Sequence, residues 1–252
     1  MIVTFLGTGT SQGVPVVACT CNVCKYSKTK DNRLRSSVLV EIDDLVISID
    51  AGPDFRYQML RENVSKLGAI LITHSHRDHI AGLDDVRSFN YLSKKPMDIY
   101  ATVYDQEEIG REFSYAINNN YPGLPKYNII NIGDDDFFIK NTKITPFSAL
   151  HFNTEVLGFR IGDFAYITDT NYIPPSSLVK LEGCKVIVIN ALRKEKHVSH
   201  YNLEEALKVI DFLKPQQAYL THISHLMGFH QDLEKELPAG VDVAYDGLKI
   251  EV

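Results

Sequence analysis

An α/β fold is what this sequence predicts, and three observations carry the prediction. Short runs rich in Ile, Leu and Val, such as Ala69-Ile70-Leu71-Ile72 and Phe164-Ala165-Tyr166-Ile167, have the length and composition of buried strands. Between such runs lie stretches of helical character, around Phe55 to Arg61 and over Leu203 to Leu213. No Gly-Ser or Pro linker divides the 252 residues, so a single domain over 1–252 is expected.

Composition narrows the function classes. A hydrophobic share of 44% and a charged share of 23% are those of a globular chain with a full core, which argues against disorder. The net charge of −6 offers no general footprint for a polyanion, so a large nucleic acid fits less well than a small substrate, a local basic patch being left open. No apolar run approaches the roughly 18–20 residues of a membrane span. The start, Met1-Ile2-Val3-Thr4-Phe5-Leu6, has neither a basic segment nor a long apolar one, so no signal peptide and no membrane partner are expected. Three of the four Cys crowd into residues 19–24, which is no disulfide framework; a reduced, cytoplasmic setting fits.

Taken in order, Ile2 to Leu6 reads as a first strand followed by Gly7-Thr8-Gly9-Thr10-Ser11-Gln12-Gly13. The glycine spacing fails both nucleotide fingerprints, and no Gly-Lys-Ser/Thr follows. These glycines are expected to let backbone pass close beneath a metal loop further on. Cys19-Thr20-Cys21-Asn22-Val23-Cys24 comes next. Three thiols this close suit tetrahedral zinc, with a fourth ligand from elsewhere, His225 or His230. Val38-Leu39-Val40 and Leu45 to Ile49, with Asp43-Asp44 between, read as a hairpin. Asp50 closes it, and Asp54 is placed to cap the helix around Phe55 to Arg61.

The densest chemistry is Thr73-His74-Ser75-His76-Arg77-Asp78-His79, straight after a strand. Imidazole and carboxylate are the donors that borderline divalent metals take up. A helix is expected to begin at Ile80-Ala81-Gly82-Leu83. Residues 104–127 break the strand pattern and suit a lid, a dimer contact or a plain surface insertion. His151 ends the run Ile144 to Leu150. Three strands then share one device, an apolar run ending in Thr and a metal-type residue: Thr73-His74, Thr168-Asp169 and Thr221-His222. Such an echo suits two similar halves delivering ligands to one edge. Cys184, inside the run to Ile189, reads as buried packing, and no nucleophile elbow or Cys-His pair is present.

HxHxDH after an apolar strand resembles the signature of the metallo-β-lactamase-fold hydrolases. The resemblance runs from the first strand and its Gly-Thr-Gly turn, through Asp50-Ala51-Gly52, Ala81-Gly82-Leu83 and His151 before Gly158-Phe159, to Ala244-Tyr245-Asp246-Gly247-Leu248. It implies an α/β fold of the four-layer αββα sandwich type with a two-metal site at one edge of the sheets. It also implies a sorting of ligands: His74, His76 and His151 on one metal, Asp78, His79 and His222 on a second, Asp169 bridging. Asp50 and Asp54 are then braces. Two divalent ions, Zn or Mn, about 3.5–4 Å apart would share a hydroxide for an in-line displacement. His200, before Tyr201-Asn202-Leu203, resembles the His known in phosphodiesterase branches as general acid and phosphate contact; catalytic roles fall to His200 and Asp78, and His197 reads as an exposed neighbour. The Cys cluster resembles the PhnP-type branch, cyclic phosphodiesterases of phosphonate breakdown. These hold a structural zinc with such a cluster and one His near the last active-site His, which favours His225 over His230.

A binuclear phosphodiesterase of a small or cyclic phosphodiester, phosphoribosyl 1,2-cyclic phosphate-like or nucleotide-like, is therefore expected. Alternatives on the same metals are an acyl hydrolase, which would not need His200, and ribonuclease Z-like RNA processing, for which no basic arm is visible. A non-catalytic role like that of the B protein of pyrroloquinoline quinone synthesis fits less well, because that relative departs from HxHxDH. A homodimer is the family's habit.

Overall fold

The structure, a computed structural model, describes residues 1–119 and 121–252. Alternating apolar residues build fourteen strands among the described residues. The first half supplies β1 (Ile2–Gly7), β2 (Ser37–Ile42), β3 (Leu45–Ile49), β4 (Ala69–Leu71), β5 (Met97–Ala101) and β6 (Tyr127–Asn131). The second supplies β7 (Phe137–Ile139), β8 (Thr142–His151), β9 (Thr154–Ile161), β10 (Phe164–Ile167), β11 (Val186–Asn190), β12 (Gln217–Thr221) and β13 (Val241–Val243), before β14 (Lys249–Glu251) returns to β1.

Two mixed seven-stranded sheets result, ordered β14-β1-β2-β3-β4-β5-β6 and β7-β8-β9-β10-β11-β12-β13. In each, the first four strands pair antiparallel and the last four pair parallel. The predicted hairpin is present, with Asp43 in the left-handed region that its tight turn requires.

Side chains alternate between two environments along every central strand. Val38, Ile47, Ile49 and Leu71 of one sheet meet Phe159, Phe164, Tyr166 and Val188 of the other in the central core. Their neighbours Leu39, Ile70 and Ile99 face Phe55, Met59 and Phe89 on one outer helical layer, and Ile187, Ile189 and Leu220 face Leu181, Ile210 and Leu233 on the other. Each fully buried aliphatic or aromatic side chain contributes about 1.5–3 kcal/mol. Three apolar layers sandwiched by helices, sheet, sheet and helices are the four-layer αββα arrangement expected. No helix among the described residues is long and apolar enough to cross a membrane.

Several local expectations change. The helix after the metal loop starts earlier and comes in pieces: Arg77–Ile80, a 3-10 turn at Leu83–Val86, then Arg87–Ser93. Asp54 occupies the cap position of helix Phe55–Arg61 without a side-chain cap bond; its carboxylate instead takes the Arg35 backbone N–H at 2.9 Å and its guanidinium at 3.1 Å. The glycines of the first turn do not lie beneath the metal loop. A Cβ on Gly7 would meet the Arg35 carbonyl at 2.0 Å, so the end of β1 lies against the segment Arg33–Arg35 that leads into β2. The glycine that runs under the metal loop is Gly52, where a Cβ would meet the Asp78 carbonyl at 2.0 Å.

Residues 104–127 hold helices Val103–Glu112 and Ser114–Ile117, with Asn120 outside the described residues. The first of these helices braces the metal loop. Its buried Asp105 takes hydrogen bonds from Thr102 and Ser75, and Glu112 pairs with Arg77.

Candidate metal centre

Loops leaving the C-terminal ends of β3, β4, β10 and β12 meet at one edge, joined there by the end of β8. After β4, Thr73 donates from both its backbone N–H and its hydroxyl to Asp50, at 2.9 Å to Oδ1 and 2.9 Å to Oδ2. The short helix Arg77–Ile80 then folds back, fixed by Ala51 N–H to the His79 carbonyl and Gly82 N–H to the Ala51 carbonyl, both 2.8 Å. Asp50, Asp169 and His222 all adopt positive φ, 66°, 52° and 54°. Such a conformation is unfavourable for these residue types and persists where the surroundings demand it. Here it turns each side chain off the strand end into the cluster.

All seven expected ligands come together. Donor atoms lie within 4.8 Å of one another in the sets His74, His76, His151; His74, His79, Asp169; and Asp78, Asp169, His222. The first set is the grouping expected for one metal; the third brings together Asp78, His222 and Asp169, while His79 falls in the set with His74 and Asp169. His200 joins His151 and Asp169 in a further set, its ring stacked on His222 at 4.9 Å.

The donor chemistry fits divalent cations. Burial would lower the His79 imidazole, but Asp78, Asp50 and Asp169 outweigh it and hold it well above its usual range, so a positive charge is favoured at this point. Its Nδ1 donates to Asp50 at 2.7 Å, which presents Nε2 to the cluster. That nitrogen faces Asp78 at 3.1 Å and Asp169 at 3.2 Å, yet is buried without a hydrogen-bond partner, as is His222 Nε2. His74 Nε2 and His76 Nδ1 face each other at 2.9 Å. Buried imidazole nitrogens and carboxylates thus converge on one region, and a cation there would give His79 Nε2 and His222 Nε2 the partner they lack. The other side of each ring is held: His151 Nδ1 donates to the Ser199 carbonyl at 2.8 Å, and His74 Nδ1 meets the Thr73 hydroxyl at 3.0 Å.

Electrostatics agree. Burial raises the carboxyls of Asp78 and Asp169, but imidazoles outweigh it, His79 for Asp78 and His222 with His79 for Asp169, and both stay below the usual carboxylate range. Burial lowers His74 and His222, which keeps their nitrogens unprotonated and able to ligate. Burial, helped by His222, also takes His200 down to about 3.

The Cys cluster forms a second centre. Cys19, Cys21, Cys24 and His225 gather into one set, with His225 Nδ1 at 3.3 Å from the Cys19 sulfur and 3.2 Å from that of Cys21. His225 hydrogen bonding brings the Cys21 thiol down to about 6, while burial lifts Cys24 to about 11. Three sulfurs and one imidazole are the donor set of a closed tetrahedral zinc site. His230 is elsewhere, against Arg33 at 3.1 Å and Glu234 at 2.9 Å.

Two contributors carried no signal in the sequence. Ser36 Oγ lies 3.2 Å from His222 Nδ1 and bonds the Gly9 carbonyl, and the Ser199 carbonyl orients His151. A Ser or a carbonyl in a loop looks like any other until the fold places it. His197 accepts from the Ser199 backbone N–H at 3.3 Å and belongs to no donor set among the described residues. His200 precedes helix Leu203–Leu213 without capping it; Asn202 and Glu205 form the capping box.

Comparison with known proteins places this geometry. Residues 46–223 match the family described as the Beta-lactamase superfamily domain. A curated octanoyltransferase of Porphyromonas gingivalis is 35% identical over 97% of the chain, and the chain spans 50% of that relative's length. The crystal structure of a diphosphatase from the PhnP family superposes with a TM-score of 0.93 at 38% identity, covering 100% of this chain and 97% of the other. Zn²⁺-bound PqqB from Methylobacterium extorquens shares the fold, with a TM-score of 0.82 at 19% identity over the full length of both chains.

Proposed function

The chain belongs to the β-lactamase superfamily and, within it, to the PhnP family, and from that premise we propose that it is a metal-dependent hydrolase of a small or cyclic phosphodiester. Phosphoribosyl 1,2-cyclic phosphate-like and nucleotide-like esters are the candidate substrates. The observation that carries the reading is the convergence of seven donors, Asp169 among them, with the buried imidazole of His200 beside Asp169 and His151.

His74, His76 and His151 form one donor set, Asp78, Asp169 and His222 another, and His79, beside Asp78 and Asp169, would join the second metal, with Asp169 shared. Two divalent ions held there, Zn or Mn, would supply Lewis acidity and an activated water for in-line attack at phosphorus. The chain's own residues do the rest. Asp50 and the Ser199 carbonyl hold the tautomers of His79 and His151. His200 Nδ1 lies 3.8 Å from Asp169, beyond hydrogen-bond reach and buried without a partner, and this ring is the one that would carry a proton to the leaving oxygen. Burial favours neutral His200, so a phosphate anion seated beside it is what raises its proton affinity. The Cys cluster with His225, three residues from His222, would hold one further zinc as a structural clip.

A second reading, acyl hydrolysis, has one observation behind it, the likeness to an octanoyltransferase. A substrate panel separates the two: bis-p-nitrophenyl phosphate, ribose 1,2-cyclic and nucleoside 2′,3′-cyclic phosphates, a diphosphate ester, and an octanoyl thioester. Metal-dependent turnover of phosphodiesters, lost in Asp78→Ala and His200→Ala, is expected. Turnover confined to the thioester and indifferent to His200→Ala would overturn the phosphodiesterase reading.

A further inference from the structure

A cavity of about 1000 Å³ lies against the edge strand β6, away from the metals. Lys95 and Pro96 precede β5, Lys126 precedes β6 and Tyr127 begins it, so the cavity opens at the N-terminal ends of parallel strands. The metal loops leave the opposite ends. Five residues of strand put roughly 15 Å between the two levels.

Its lining is unlike the rest of this acidic chain. Arg87, Lys94, Lys95 and Lys126 contribute four cations, and among the described residues no Asp or Glu lines it. Arg87 is paired with Asp84 at 3.4 Å; the three lysines make no ion pair among the described residues. In a chain of net charge −6, three uncompensated ammonium groups around one concavity create a local positive field.

The main chain that carries the exposed lysines is held in place. Asn90 donates to the Lys95 carbonyl at 3.0 Å and to the Lys126 carbonyl at 3.1 Å, and accepts from the Lys126 N–H at 2.9 Å. Met97 N–H closes the same corner on the Lys126 carbonyl at 2.9 Å. Helix Arg87–Ser93 is thereby stitched to the starts of β5 and β6, and the backbones of both lysines keep a fixed relation.

Two exposed aromatic rings flank the charges. Tyr91 stands on helix Arg87–Ser93, Tyr121 on the facing segment, and Gly123, with φ 94°, approaches the Tyr91 hydroxyl. Ammonium groups recognise phosphate, and an exposed ring offers a stacking face to a base. Neither metal donors nor any proposed catalytic residue takes part.

We propose that this cavity is a second binding site, distinct from the metal centre, for a nucleotide: phosphates on Lys94, Lys95 and Lys126, base against Tyr91 and Tyr121. The inference does not depend on the reaction at the metals.

The test is equilibrium titration of the zinc-loaded Asp78→Ala protein with α,β-methylene-ADP, adenosine and inorganic pyrophosphate. Saturable binding of α,β-methylene-ADP is expected, at least tenfold tighter than adenosine or pyrophosphate alone. Adding Lys95→Glu with Lys126→Glu weakens it tenfold or more, and adding Tyr91→Ala weakens it independently of any charge change. The same lysine changes in the otherwise native chain leave the melting temperature and metal-dependent turnover unaltered. Absence of saturable binding, binding indifferent to the lysine and tyrosine variants, or pyrophosphate binding as tightly as the analogue would each overturn the proposal.

Discussion

The two halves of the molecule end equivalent strands in the same residue type and use it differently. β3 and β10 each pair antiparallel with the preceding strand and parallel with the following one, and Asp50 and Asp169 follow them with φ of 66° and 52°. Asp50 is fully buried beneath the metal loop and spends its oxygens on Thr73 and His79. Asp169 reaches the open edge, where His79 and His222 lie at 3.2 and 3.1 Å. Burial pushes the Asp50 carboxyl up, whereas the imidazoles around Asp169 overcome burial and hold it well below the usual range. His79 is clasped between them, Nδ1 to one carboxylate and Nε2 facing the other. One topological position thus yields a brace in the first half and a donor in the second. What differs is the surroundings: the first half lays HxHxDH over its aspartate, whereas Asp169, though buried too, is enclosed by the imidazoles of His79 and His222.

The largest effect should come from breaking the donor. Asp169→Ala is expected to cost about 10³-fold or more in metal-dependent turnover, as losses within a concerted catalytic group do, and to lower the metal content of the His/Asp site. Asp50→Asn keeps shape and weakens only the bracing of His79; about 10–100-fold in activity or metal affinity is the expected loss. Comparable losses in the two variants would erase the distinction between them.

Gly52→Ala tests the covering loop itself. A methyl group there meets the Asp78 carbonyl at 2.0 Å, so a destabilisation of several kcal/mol is expected in thermal melts, about 1–3 or more as for overpacking. An unchanged melting temperature would mean that the loop does not sit where Asp50 needs it. His225→Ala should remove one zinc per chain, measured by elemental analysis, while His230→Ala leaves the zinc count intact. Smallest of all, Ser36→Ala takes one hydroxyl from His222 Nδ1 and should cost about 1 kcal/mol, a fewfold change in turnover.

Most of the site was legible because its residues are chemically rare and locally grouped. HxHxDH and CxCxxC announce themselves, and Thr-His or Thr-Asp at a strand end is readable once several recur. The four-layer plan was legible through resemblance, since short apolar runs alone do not tell which sheet a strand joins. Long-range contacts were not legible. Asp54 looked like a helix cap and pairs with Arg35 because the first turn brings that segment alongside. The glycines before the Cys cluster looked like the floor of the metal loop, a task that falls to Gly52. Ser36 meets His222 across 186 residues, and no local pattern encodes that approach.

The most direct measurement is hydrolysis of bis-p-nitrophenyl phosphate by the metal-loaded native chain beside Asp169→Ala, each with its Cys-site zinc verified. The account predicts metal-dependent turnover in the first, and none above background in the second although its structural zinc is full. Equal turnover in both would contradict it, because the shared edge around Asp169 would then not be where the chemistry happens.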